Sequence, residues 1–270
     1  FKTICTLGNY NNHIGLPLSL FEIRDDTEFA IIEMGANNFG EIALLTSICE
    51  PDYGYITNFG KAHLEGFINI DGVIKAKTEL YDWIIKNDKT ILINGDDKNQ
   101  KKYDVYKHIV FGRNKNFNYD FKEKSNDFVN VLFDSFLFDT NLYGRYNYSN
   151  VCAAIALGLE FGIDKNEINH SLKNYQSKNN RSEVIKVGNK RIILDAYNAN
   201  PSSMEEAIKS FSILEGDKTI ILGDMYELGD DSLNEHKKII KLCEENKHSK
   251  CIFIGEKFYS FSSDKHTSTF

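Results

Sequence analysis

Glu33 closes an apolar run, AIIEMGANNFGE, and Asn58 and His63 follow a second, within YGYITNFGKAHLEGF. Carboxylate oxygen and imidazole nitrogen both bind metals, and two such loops at one edge of a parallel sheet lie where α/β sheets take their ligands. A strand-end glutamate facing water and a satisfied loop histidine are the plain alternatives. Further on, Lys75 and Glu79 stand i,i+4 on a helical stretch and read as a surface pair; Lys77 points elsewhere and reads as a solvated lysine. In GRYNYSNVCAA, Asn147 and Asn150 are three apart in the first turn of an apolar helix. Two amides on one face could read a purine edge, or Asn147 simply caps the helix. In DAYNANPSSMEEA, Asp195 ends a strand, Asn198 and Asn200 fill the turn, Pro201 starts a helix, and Ser202 with Glu205 fits a capping box. A helix N-terminus beside Asp and Asn groups suits a phosphate or ribose. Capping accounts for Asn200 and Ser202 without function, but not for Asp195. Arg181 is either a phosphate clamp or a salt-bridge partner between domains.

Several common signatures are absent from the sequence. GYITNFGKA comes near a phosphate-binding G-x-x-x-x-G-K-[ST] loop, but its glycines are too far apart and Ala62 stands where a hydroxyl would bind Mg²⁺. There is no G-x-G-x-x-G, G-x-S-x-G or H-E-x-x-H.

The elements that must position these residues alternate. Strands are expected at residues 2–7, 28–33, 53–58, 89–93 and 108–111, with helices at 40–49 and 71–85 between them, the pattern of a parallel sheet with crossover helices. Residues 118–142 change texture to three short aromatic-rich strands, an antiparallel extension. Helices at 147–161 and 165–175 follow, then a polar linker, Gln176–Asn180. Alternation resumes with strands at 191–195, 219–222 and 250–254 and helices at 202–214 and 232–245. The fold class is α/β, with a second, smaller α/β unit after the linker.

Composition bounds the rest. The chain has 270 residues, a formal charge of −7, 41% hydrophobic and 26% charged residues. That excludes wholesale disorder and argues against a basic nucleic-acid binder. Five cysteines without a C-x-x-C point away from a disulfide framework or zinc site and towards a reducing cytosol. The longest apolar run, Val151–Leu159, is too short to cross a bilayer, and no signal peptide is visible. The chain starts on Phe1 in a strand-like run and stops as abruptly, so it reads as a fragment.

Taken in order, GNYNNHIGLPLSL, IIEMGANNFGEI, ITNFGKAHLEGF, GVIKAKTELY, GRYNYSNVCAA, Arg181–Glu183, DAYNANPSSM and LGDMYELG resemble the Mur ligases, ATP-dependent amide-forming enzymes of peptidoglycan precursor synthesis. The GN-x-NN-x-IG-x-P, EMGAN and YNANP-x-S forms look like the branch that adds D-alanyl-D-alanine to UDP-N-acetylmuramoyl-tripeptide. The resemblance implies a central ATPase domain over residues 1–178, its P-loop lying upstream, and a truncated Rossmann-like C-terminal domain over 179–270. It implies Mg²⁺ held by Glu33, His63 and a carbamylated Lys77, with these three catalytic. It implies ATP contacts from Asn58, Asn147, Asn150, Arg181 and Asp195, and substrate-loop roles for Asn9, Asn11, Asn12, Asn198 and Asn200. Some Mur ligases carry a lysine two residues after the aspartate; here that position is Tyr197, and no phosphate-binding lysine is assigned. The resemblance further implies a cytoplasmic monomer serving cell-wall growth, cell shape and division, with no nucleic-acid or membrane partner, and a 270-residue chain inactive on its own. Two rivals stand beside this reading. One is a related amide ligase, tripeptide-forming or folylpolyglutamate-like; the other is a non-catalytic protein that binds cell-wall precursors.

Overall fold

The computed structural model describes every residue except 62, 63, 125, 126, 246–248, 262–266 and 270. The chain divides into two compact units, residues 1–59 with 63–110, and residues 60–62 with 111–270.

In the first unit, β1 (Thr3–Cys5), α1 (Gly15–Leu20), β2 (Phe29–Ile31), α2 (Glu41–Cys49), β3 (Tyr53–Tyr55), α3 (Leu64–Phe67), α4 (Ile70–Lys86), β4 (Thr90–Asn94) and β5 (His108–Gly112) follow one another, the last two residues of β5 belonging to the second unit. β1 and β2 pair in parallel, Thr3 opposite Phe29 and Cys5 opposite Ile31. β3 and β4 also pair in parallel, Tyr53 opposite Thr90, and β5 lies on the other side of β4. Parallel pairing needs a crossover, and α4 supplies it between β3 and β4. Asn69 caps α4 by accepting from Gly72 N at 3.0 Å. Val73, Ala76, Tyr81 and Ile84 bury the stripe of α4 expected of an amphipathic helix. β4 is buried from Thr90 to Ile93, as a central parallel strand should be.

In the second unit, β6 (Tyr119–Asp120) pairs in parallel with the end of β5, Phe111 opposite Tyr119. β7 (Lys122–Glu123), β8 (Val131–Phe133) and β9 (Phe136–Phe138) form the expected antiparallel sheet. Phe121, Val131 and Phe138 are fully buried beneath it. α5 (Tyr148–Glu160) buries Val151, Cys152, Ile155 and Ala156, and α6 (Lys165–Asn174) packs on it. The approach is close: a Cβ on Gly158 would come within 2.8 Å of the Ile168 side chain. After the linker, β10 (Glu183–Val187) and β11 (Lys190–Leu194) make a hairpin that the sequence reading did not include; β10 was missed. Its two-residue turn is Gly188–Asn189, with Gly188 at φ +60°, the left-handed geometry such turns demand. Then come α7 (Pro201–Ser212), β12 (Lys218–Gly223), α8 (Ser232–Glu245), β13 (Ser249–Ile254), α9 (Glu256–Tyr259) and β14 (Thr267–Thr269). β12, β13 and β14 run parallel in that order.

Candidate active site

The loop before α1 and the end of β2 meet at Glu33. Thr6 Oγ accepts from Glu33 N at 2.9 Å, and Asn11 Nδ2 donates to Glu33 Oε1 at 2.8 Å. Asn11 O accepts from Gly35 N at 2.8 Å, so this asparagine holds both the carboxylate and the turn that follows it. A Cβ on Gly35 would lie 2.8 Å from Asn11 Nδ2, so a side chain there would push that amide away from Glu33. Asn12 Oδ1 accepts from Ile14 N and Gly15 N at 3.0 and 2.9 Å, and Asn9 O accepts from Asn11 N at 2.7 Å. The asparagines of this run are thus engaged in shaping their own loop and orienting Glu33.

A second cluster surrounds the exit of β3. Lys77 Nζ donates to Asn58 O at 2.9 Å. No carboxylate pairs with Lys77 among the described residues, and burial holds its ammonium below the ordinary lysine range. Tyr81, one turn further along α4, is fully buried and donates to Leu92 O at 2.9 Å. Gln100 is fully buried; its Nε2 donates to Ile56 O at 2.8 Å and its Oε1 accepts from Asn94 N at 2.9 Å. One face of α4 therefore meets β3's exit at residues 56 and 58, with Gln100 tying that exit to β4. The expected surface pair of Lys75 and Glu79 does not form. Glu79 accepts from Gly40 N and Ala43 N at 2.8 and 3.0 Å, capping α2 from outside, and Lys75 Nζ sits 5.8 Å from the centre of the Phe39 ring. The unpaired N–H groups at a helix start attract a carboxylate more strongly than a solvated ammonium does. His63 lies outside the described residues.

In the second unit, Asn147 makes no capping bond; its Nδ2 donates to Tyr143 O at 2.9 Å. Asn150 Nδ2 donates to Asn147 Oδ1 at 3.2 Å, which links the two amides. Asn150 is exposed and Asn147 half-buried. Asp195 is a junction: Oδ1 accepts from Ser182 N and Oδ2 from Tyr146 Oη, both at 3.1 Å, and Tyr146 Oη lies 2.7 Å from Ser182 Oγ. Burial pushes the Tyr146 phenol up, and the neighbouring Asp195 charge adds to it against the Ser182 hydrogen bond. Asn179, Asn180 and Ser182 all take positive φ beside this junction. Such backbone is costly for non-glycine residues and persists where surrounding bonds impose it. Arg181 lays its guanidinium 3.7 Å from the centre of the Tyr197 ring.

The helix start after Asp195 is capped two positions before the expected box. Asn200 is the N-cap, accepting from Ser203 N at 3.0 Å, and Ser203 Oγ accepts from Asn200 N at 3.1 Å, with Pro201 at the first turn. Glu205 instead pairs with Lys209 at 2.6 Å. Ser202 Oγ accepts from Lys61 N at 3.0 Å. Asn198 Oδ1 accepts from Ala199 N at 2.8 Å. Lys61 also reaches Glu235 on α8 at 3.1 Å, and Lys238 reaches the same oxygen at 2.7 Å.

The structure thus brings together Glu33 with Asn11, Lys77 with Asn58, Asn147 with Asn150, and Arg181 with Tyr197. It adds Thr6, Tyr81, Gln100, Tyr146 and Ser182, which sequence reasoning missed. Tyr81 carried a signal, being i,i+4 from Lys77; Tyr146 and Ser182 are far from Asp195 in sequence and carried none. Among the described residues no cluster of three or more His, Cys, Asp or Glu side chains forms a metal cage, and no helix is long and apolar enough to cross a membrane.

Comparison with known proteins gives concordant findings. A family model for the Mur ligase middle domain matches residues 1–158, and one for the Mur ligase glutamate ligase domain matches 180–267. UDP-N-acetylmuramoyl-tripeptide–D-alanyl-D-alanine ligase of Bacillus subtilis (strain 168) is 33% identical over 93% of this chain and 56% of its own length. The protein of the same name from Escherichia coli (strain K12) is 30% identical over 97% and 60%. A crystal structure of MurF from Acinetobacter baumannii superposes with a TM-score of 0.87 at 27% identity, covering 98% of this chain and 61% of that one. The chain spans somewhat over half the length of the curated relatives it matches.

Proposed function

The chain belongs to the Mur ligase family, and from that premise we propose that its full-length gene product ligates D-alanyl-D-alanine to UDP-N-acetylmuramoyl-tripeptide at the expense of ATP. The observation that supports the site assignment is Lys77, a half-buried helix lysine hydrogen-bonded to a backbone carbonyl with no carboxylate beside it among the described residues. A structural lysine is rarely placed so, because burial penalises its charge. An amine eased towards its neutral form can add CO₂, releasing a proton and leaving an anionic carbamate.

The donor chemistry fits Mg²⁺, which prefers hard oxygen ligands, takes few of them from protein and completes its shell with water and phosphate. Glu33, with one oxygen already oriented by Asn11, and the Lys77 carbamate would hold the ion, with His63 as the third expected ligand. When bound, the ion would neutralise phosphate charge. The chain's own residues do the positioning. Asn147 and Asn150 present linked amides to an adenine edge. Asp195, through Tyr146 and Ser182, fixes the segment that carries Arg181. A carboxylate is a poor acyl donor. Phosphorylation by ATP converts it to an acyl phosphate, the incoming amine attacks, and phosphate leaves; such transfers depend mainly on positioning and charge neutralisation. The division at residue 178, the cytoplasmic location and the monomeric state belong to the same proposal.

The test is Lys77→Ala in the full-length gene product. Activity should fall by at least about 100-fold, the order expected when charge stabilisation is removed, and a short carboxylic acid added at millimolar concentration should restore part of it. An unchanged rate in Lys77→Ala would remove the carbamate from the account.

A further inference from the structure

Helix α8 buries one stripe: His236, Ile239, Ile240 and Cys243 all lie in the core, at the spacing of a single helix face. In β13 the side chains alternate, so Cys251 and Phe253 project to one side. The Phe253 ring lies 5.0 Å from that of Phe258, which lies 4.7 Å from the imidazole of His236. The face of β13 that carries Cys251 is therefore the one turned towards α8. The chain reverses direction between α8 and β13. Two turns back along the helix, from Cys243 to His236, cover about 10 Å. Forward along the strand, Phe253 lies about 7 Å beyond Cys251 on the same face and reaches His236 through the Phe258 ring. This register sets Cys243 opposite Cys251, and the two thiols are hydrogen-bonded to each other.

We propose that Cys243 and Cys251 are a site of reversible oxidation by a hydroperoxide, closing a disulfide between α8 and β13. Cys251 is half-buried and Cys243 almost wholly enclosed, so a small peroxide reaches Cys251 first. The hydrogen bond from Cys243 holds the Cys251 thiol below its ordinary range, while the same bond and burial push Cys243 up. The Cys251 thiolate attacks one peroxide oxygen; the O–O bond breaks, and the other oxygen leaves with a proton as water or an alcohol. Cys251 is then a sulfenic acid. The Cys243 sulfur attacks it, the S–S bond forms, the S–O bond breaks, and the hydroxyl leaves as water with the Cys243 proton. Two thiols lose two electrons in all and the peroxide gains two; a dithiol reverses the step. The other cysteines lack this arrangement. Cys5 is exposed, Cys152 is buried in α5, and burial near Asp52 pushes the Cys49 thiol up to about 11.

The test treats the full-length gene product with hydrogen peroxide, blocks remaining thiols and maps peptides by mass spectrometry. A linked peptide joining Cys243 to Cys251, lighter by about 2 Da and released by dithiothreitol, is expected in the unmodified sequence. In Cys243→Ser the sulfenic acid should persist on Cys251 and take up dimedone; in Cys251→Ser, Cys243 should stay unlabelled at the same dose. Absence of the linked peptide at a dose that oxidises exposed Cys5 would overturn the proposal. So would dimedone on Cys243 in Cys251→Ser protein.

Discussion

Glu235 shows how a single residue can hold a loop. Its side chain is 7% exposed, yet it sits between two ammonium groups, Lys238 at 2.7 Å and Lys61 at 3.1 Å. Burial alone would raise its carboxyl; the hydrogen bonds and charges of Lys238 and Lys61 outweigh that and hold it below the ordinary value of 4.5. The folded state therefore keeps the carboxylate where the unfolded chain would already take up a proton. The stabilisation is full above about pH 4.5 and is lost as pH falls through the lowered value. Glu235→Gln should cost about 1–2 kcal/mol at pH 7, less than a fully buried pair because both lysines keep part of their side chains in water. The gap from the parent in chemical denaturation should close as pH drops below 4. A gap that persists at pH 3 would mean that the carboxylate's packing, not its charge, matters. Sequence alone could not show this trio, since Lys61 and Glu235 are far apart along the chain. Asp195 is the intermediate case. Its place at a strand end was legible because a carboxylate there breaks the apolar pattern, but its partners Tyr146 and Ser182 were not, because only folding brings them near.

Among the elements, α4 carries the most. It crosses from β3 to β4, buries one stripe, and presents Lys77 and Tyr81 to the exit of β3. Gln100 completes that exit by engaging Ile56 O and Asn94 N. Gln100→Leu keeps the volume but orphans both backbone groups, each at about 1–3 kcal/mol. The melting temperature should therefore fall by several degrees, and kcat should fall more than KM rises, because residues 56–58 support Lys77. A variant that loses stability but keeps kcat would show Gln100 to be a packing residue only. The helices were largely legible because their apolar periodicity is strong over three or more turns: α8 falls at Ser232–Glu245 as the pattern indicates, and α4 exceeds its expected range by one residue at each end. β10 was not, because five residues after a polar linker offer little periodicity and the hairpin turn Gly188–Asn189 was not used as a signal. The shift of the capping box to Asn200 and Ser203 has a similar cause, since Asn200, Ser202 and Ser203 all suit a cap and only the backbone decides which does.

For the whole molecule, ordered motifs said more than any one of them. No single run among EMGAN, YNANP or LGDM excludes a structural explanation, and the structure shows that several of these asparagines serve their own loops. Their succession along the chain pointed to the Mur ligase family, and the matches over residues 1–158 and 180–267 agree with it. The side-chain connections within each unit were out of reach, because they join residues that only the fold makes neighbours. The most direct measurement is phosphate release by the full-length gene product with ATP, Mg²⁺ and UDP-N-acetylmuramoyl-tripeptide, comparing D-alanyl-D-alanine with single amino acids. The account predicts release that depends on the dipeptide and yields one product longer by two alanine residues. Release driven equally by a single amino acid, or none with any amine, would contradict it.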